Sequence, residues 1–195
     1  MADARGRAGY FTAREAKEHG ISSQLLRYRV HQGTVEYELH GVYRFVAAPL
    51  TEQDEYIALW LWSGERGVFS HDTALALHDL SDAMPARLHM TVPRSWRGPR
   101  TTKPAHARLH PGSLPEDAVQ WLGSIPVTTP LQTIRDCIAA HASPEWIEQA
   151  IEQATRRGMI SAGEAALLQH ERRGDAPWPG PTRPPPRSRP RSKRS

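Results

Sequence analysis

At 195 residues and a net charge of +4, the chain is long enough for one or two domains with real cores. A single cysteine, Cys137, excludes an internal disulfide framework and fits a reducing compartment. There is no run of about 18 apolar residues, and the N-terminus lacks the apolar core of a signal peptide; together these exclude a spanning helix and predict a soluble, cytoplasmic protein with no membrane partner.

Residues 1–8 carry little apolar character beyond Met1 and three alanines, so a helix there would be short, frayed or absent. Thr12 followed by Glu15 is a capping-box start and Gly20 a stop, which predicts a short helix from Ala13 to His19. Ser22 is an N-cap for a second helix that ends at Gly33, with Ile21 before it poised to staple onto Leu26. Leu26 and Val30 lie on one side of this second helix, while Ser23, Gln24, Arg27, Tyr28 and His31 gather on the other. The alternation of Val35, Tyr37 and Leu39, a break at His40-Gly41, and then Val42 to Phe45 predicts a β-hairpin. Helix, turn, helix and hairpin in residues 1–47 read as a winged helix-turn-helix. In such a unit the second helix enters the major groove, where Arg pairs with guanine and Gln with adenine, each pair discriminating by roughly 1 to 3 kcal/mol. Gln24 and Arg27 are the candidates for base edges; Ser23, Tyr28, His31 and Arg44 are the candidates for the DNA backbone. A small helical domain with a solvated face, or a winged helix used for protein contact, is the alternative.

Residues 48–173 read as an α+β region with a helical end. Thr51 with Asp54 starts a helix over Glu55–Trp62 that has almost no polar face and is expected to lie buried between two halves. A short strand at Gly67–Phe69 and a helix from Ser70 follow, then a strand over Leu88–Val92. Further strands are expected at Ala107–His110 and across Val119–Val127, turning at Gly123-Ser124. Thr129 with Pro130 opens a helix through Ala140, Ser143 with Pro144 opens one over Glu145–Arg157, and Ser161 with Glu164 begins the last. From residue 174 the Pro, Arg and Ser bias denies a packed core, so a disordered tail is expected.

Positive charge is concentrated away from the reading helix. The tail holds Arg183, Arg187, Arg189, Arg191, Lys193 and Arg194 against Asp175 alone, and the stretch after Pro93 holds Arg94, Arg97, Arg100, Lys103 and Arg108 with no acid. Residues 1–47 are only mildly basic, and Glu36 and Glu38 put acid on the wing.

No catalytic constellation is evident. His71 and His78 share a helix face, but two turns separate them by about 10.5 Å, too far for one ion; both are expected to be structural. His106 and His110 flank a strand and are expected to be exposed. Gly123-Ser124 opens like a nucleotidyltransferase signature, but no paired aspartates follow, so a hairpin turn is expected. Cys137, beside Ile134 and Ile138, reads as core. The expectation is a protein that is not an enzyme, with no metal and no cofactor.

Four blocks occur in order: Gly9-Tyr-Phe-Thr-Ala-Arg-Glu-Ala to Gly41-Val-Tyr-Arg; Val68-Phe-Ser-His-Asp-Thr-Ala-Leu-Ala-Leu-His-Asp-Leu; Met90-Thr-Val-Pro-Arg; and Ile125-Pro-Val-Thr-Thr-Pro-Leu-Gln-Thr-Ile-Arg-Asp. From residue 9 to about 170 the chain resembles the AbiEi family of antitoxins. The resemblance implies an antitoxin of a type IV toxin-antitoxin system of the kind used in phage defence. Its winged-helix domain would repress its own operon at inverted-repeat DNA, and its second domain would counter a genetically linked nucleotidyltransferase toxin without a stable complex. Relatives are richer in Arg at the places of Ser23, Tyr28, Gln32, Leu39 and His40. A winged-helix transcriptional regulator without a toxin partner, and a protein-interaction adaptor using Trp60, Trp62 or the tail, are the other readings.

Overall fold

The computed structural model describes residues 7–98 and 103–174. The expected tail and most of the first eight residues therefore lie outside the described residues, as does part of the basic stretch. Within the described residues the protein is mixed α+β, with seven α-helices and two sheets.

The first sheet is local. A strand that the sequence reading did not anticipate, β1 (Tyr10–Thr12), leads into α1 (Ala13–Glu18) and α2 (Ser23–His31). The hairpin β2 (Val35–Leu39) and β3 (Val42–Phe45) follows. β1 pairs antiparallel with β3 to give the order β1-β3-β2, and the β2–β3 register shifts between Tyr37 and Leu39. The capping box forms: Glu15 N–H donates to Thr12 Oγ1, while Thr12 N–H donates to Glu15 Oε2 at 2.7 Å. Ser22 Oγ likewise accepts from Leu25 N–H at the start of α2. Phe11, Ala16, Leu26 and Val35 form a small core, with Ile21 and Val30 packed on it.

The second sheet draws on distant parts of the chain. Helix α3 (Asp54–Trp62) precedes β4 (Val68–Phe69), α4 (His71–Leu77) and β5 (Leu88–Pro93). The strands β6 (Ala107–Gly112), β7 (Val119–Leu122) and β8 (Ile125–Thr128) follow. Helices α5 (Pro130–Ala139), α6 (Pro144–Arg156) and α7 (Ala162–Arg173) close the fold. The strand order is β6-β5-β4-β8-β7. β5–β6 and β4–β8 run parallel, while β4–β5 and β7–β8 run antiparallel. The basic stretch is thus the crossover that a parallel pair requires.

Side-chain caps start α1, α2 and α7, three of the seven helices, and the other starts differ. Ser161 and Glu164 complete a second capping box, and Gly174 ends α7 in the left-handed conformation at φ 69°, which glycine adopts without strain. Thr51 is not the cap of α3: Gln53 takes that position, while Thr51 N–H and Oγ1 both donate to Asp54 Oδ1. Thr129 and Ser143 hold the N-cap positions, but their side chains bond no helical N–H, and the starts rest on Pro130 and Pro144 in the first turn.

Ile57 to Trp62 are all buried. Helix α3 packs against β1, β2 and β3 on one side and against β8 on the other, so its lack of a polar face follows from contact with both sheets. Its residues share one core with Tyr10 and Val42 of the first sheet and with Phe69, Met90, Ile125 and Val127 of the second. Trp60 and Trp62 belong to that core, which removes them as a docking surface; Trp121 is the exposed tryptophan of this region. A second core joins Leu75 of α4 to Ile134, Cys137, Ile147, Ile151 and Leu168 of the last three helices. Among the described residues no helix is long and apolar enough to cross a membrane.

Leu59 is fully buried in the shared core. Leu59→Ala is expected to cost about 2 to 5 kcal/mol of unfolding free energy, read as a lower urea midpoint. Hydrogen bonds from Thr12 and the nearby Arg7 guanidinium hold the Glu15 carboxyl below its ordinary range, outweighing its burial. A depressed carboxylate stabilises the fold above its unfolded pKa and loses that contribution as the pH falls. In acid titrations followed by circular dichroism, Glu15→Gln is expected to be less stable at neutral pH and to lose less on acidification than the parent chain.

Candidate nucleic-acid interface

Five of the six candidate contact residues lie where the helical period puts them. Ser23, Gln24, Arg27, Tyr28 and His31 are all exposed on α2, opposite buried Leu26 and half-buried Val30. Tyr28 is 58% exposed, so this aromatic is held at the surface without serving the core. Arg29 is exposed as well. The face is therefore polar, mildly basic and aromatic, on an element fixed from beneath by Leu26.

Arg44 is placed differently. Its side chain is 8% exposed and pairs with Glu36 Oε2, directly opposite in the hairpin register, and with Glu38 Oε1 at 3.6 Å. Its Nη1 donates to the Ala48 carbonyl at 3.1 Å. A guanidinium committed in this way does not reach a phosphate, so the assignment of Arg44 to the DNA backbone is corrected. The same contacts balance the acid of Glu36 and Glu38 from within the hairpin, which weakens the repulsion expected toward a polyanion. On the outer side, exposed Tyr37 meets Tyr43 edge to face at 5.6 Å.

The histidines divide into two groups. His78 is structural, as expected: it is buried, and its Nε2–H donates to the Thr128 carbonyl at 2.7 Å. His71 is not part of that arrangement. Its ring stacks on His110 with centroids 3.7 Å apart, and His89 approaches both, at 5.9 Å from His71 and 5.1 Å from His110. His110 is half-buried, and so is His106, which corrects the expectation that both are exposed. Burial, together with repulsion from the neighbouring histidines and Arg108, holds His71 down to about 3 and His110 to about 4. Burial lowers His89 also, against the opposing pull of Asp72.

His89 escaped the sequence reading. His89 and Thr91 point to one face of β5 by the two-residue period, and the parallel register sets Thr91 beside His110. The alternation was visible, but the strand pairing that gives it meaning was not.

Cys137 is fully buried in the helical core, and its thiol is pushed up by that burial and by Asp72. Gly123 and Ser124 form the β7–β8 turn, with Ser124 N–H donating to Gln53 Oε1.

Residues 3–46 match the family model described as transcriptional regulator, AbiEi antitoxin. Over those residues the chain is similar to the AbiEi family, which makes 3–46 an AbiEi-like segment. That AbiEi-like segment ends at the hairpin and contains all six candidate contact residues. The crystal structure of the RV2827C protein from Mycobacterium tuberculosis is similar with a TM-score of 0.46 and 16% identity, covering 87% of this chain and 78% of that one. No curated protein matches the chain.

Arg44→Met leaves Glu36 and Glu38 without their common partner. It is expected to lower the stability of the AbiEi-like segment by about 1 to 3 kcal/mol, the scale of lost hydrogen bonds to a charged group. A chemical denaturation series at low and high salt checks this.

Proposed function

We propose that the chain is a DNA-binding antitoxin that represses its own operon, using a winged helix-turn-helix in which α2 lies in the major groove. The observation that carries this reading is the exposed face of α2, where Gln24 and Arg27 stand together with Ser23, Tyr28 and His31 on a helix whose other side is anchored in a core. Arg and Gln at neighbouring positions of such a helix match the bidentate patterns of guanine and adenine. The AbiEi match of residues 3–46 supports the same reading. The partner DNA is an inverted repeat, which a two-fold arrangement of reading helices recognises. Beyond the AbiEi-like segment, residues 48–173 counter a genetically linked nucleotidyltransferase toxin of a type IV system, without a stable complex and without catalysis by this chain. The protein acts in the cytoplasm, with phage defence as the setting.

Gel-shift titration against the DNA upstream of its own gene tests this reading. Arg27→Ala is expected to weaken specific binding by roughly 5- to 150-fold, the equivalent of about 1 to 3 kcal/mol, while binding to unrelated DNA changes little. Equal affinity of the variant and the parent for the repeat would remove α2 as the reader. Since Arg44 is withdrawn from the surface, the logarithmic salt slope is expected to be shallow, about 0.9 per phosphate neutralised. Growth rescue in cells co-expressing the adjacent gene tests the antitoxin half, with loss of rescue expected when residues 48–173 are removed.

A further inference from the structure

The histidine cluster lies in the second sheet, outside the AbiEi-like segment, and the DNA-binding reading makes no use of it. His71 comes from the first turn of α4, His89 from β5 and His110 from β6. One ligand-type nitrogen from each ring lies within 4.8 Å of the other two. Three nitrogens on a tetrahedral zinc ion at 2.0 to 2.1 Å stand about 3.4 Å apart, so the nitrogens need to close by up to about 1.4 Å, and the stacked rings of His71 and His110 need to turn so that their in-plane lone pairs converge. We propose that His71, His89 and His110 form a binding site for a divalent transition-metal ion, zinc(II) foremost.

Independent observations point the same way. His110 Nε2 is buried with no hydrogen-bond partner, and His89 is 8% exposed with its unpaired Nδ1 on the Asp72 side, which leaves Nε2 as its ligand nitrogen. Orphaned buried nitrogens are costly, and a metal ion satisfies imidazole lone pairs directly. Ring orientation is prepared from behind. His71 Nδ1 bonds Ser70 Oγ at 2.9 Å, and Thr91 Oγ1 donates to the same Ser70 oxygen at 2.8 Å, which leaves His71 Nε2 as the free nitrogen. Asp72 Oδ2 stands 3.9 Å from His89 Nδ1, about 0.7 Å beyond hydrogen-bond range. A carboxylate behind a ligating histidine is the usual outer-shell support of such sites.

The charge around the cluster fits a cation despite Arg108. His71 and His110 open onto a cavity of about 640 Å³ that Asp136 also lines, and Asp136 Oδ2 is buried without a partner. Asp72 and Asp136 thus stand near the three rings and partly offset the charge of an ion beside Arg94 and Arg108. Imidazole nitrogens without an oxygen-rich cage favour zinc, nickel, cobalt or copper over magnesium and calcium. Three protein ligands leave a fourth coordination position toward that cavity.

Equilibrium dialysis of the untagged full chain against zinc(II) is the test. One ion per chain is expected, undisturbed by excess magnesium. His89→Ala and His110→Ala are expected to weaken binding at least tenfold, Asp72→Asn by roughly 10- to 100-fold, and the control His31→Ala not at all. Binding that survives unchanged in the His89 and His110 variants, or that is absent from the parent chain, overturns the proposal. His89→Asn and His110→Gln, checked for folding by circular dichroism, replace the alanine variants if those unfold. X-ray absorption of the zinc-loaded parent chain provides a readout that needs no variant: a shell with three imidazoles is the expected result, and a shell of oxygens alone overturns the site.

Discussion

The structure depends on a helix that has no side facing water. Six consecutive residues of α3, Ile57 to Trp62, are buried, and a helix apolar all round is stable only with cover on every side. One cover is the local sheet of the AbiEi-like segment and the other is the five-stranded sheet of the second region. Arg7 adds a polar clasp at the rim, its guanidinium 5.4 Å from the Trp60 ring and paired with Glu15 and Glu65. Gln53 adds another, its side chain donating to the Leu122 carbonyl at 3.1 Å. The surface that reads DNA in the proposal above is therefore mounted on a frame that continues into the other half of the chain.

What the sequence displayed well was local chemistry. Thr12 with Glu15, Ser22 alone and Ser161 with Glu164 mark helix starts because the cap bond spans three residues, and the glycines after His19, Gln32 and Arg173 mark stops. The exposed face of α2 was legible for the same reason, since a helical period is fixed by neighbours along the chain. For Arg44 the position on the hairpin is legible in the sequence while its burial is not. Whether a guanidinium faces solvent or folds back onto Glu36 and Glu38 depends on how the whole segment packs.

The histidine cluster lay out of reach for a further reason. His71, His89 and His110 come from one helix and two strands, and the connection between β5 and β6 carries no helical signal that would announce a parallel pair. The spacing of His71 and His78 drew attention to a pair that the helix itself holds apart, whereas the true neighbours of His71 lie on other elements. A histidine on a strand looks like surface until the strand beside it is known.

The two sheets also differ in how much chain each must close. The strands β1, β3 and β2 meet within residues 10–45, whereas Phe69 of β4 pairs with Val127 of β8 across most of the second region. Loop-closure entropy rises slowly with length, about 0.6 kcal/mol per doubling, but non-local pairing slows folding strongly. On the ribosome the first sheet has its strands in hand early. The apolar far side of α3 must wait for residues 125–128, so until they emerge the nascent chain carries an uncovered hydrophobic helix next to a finished N-terminal fold.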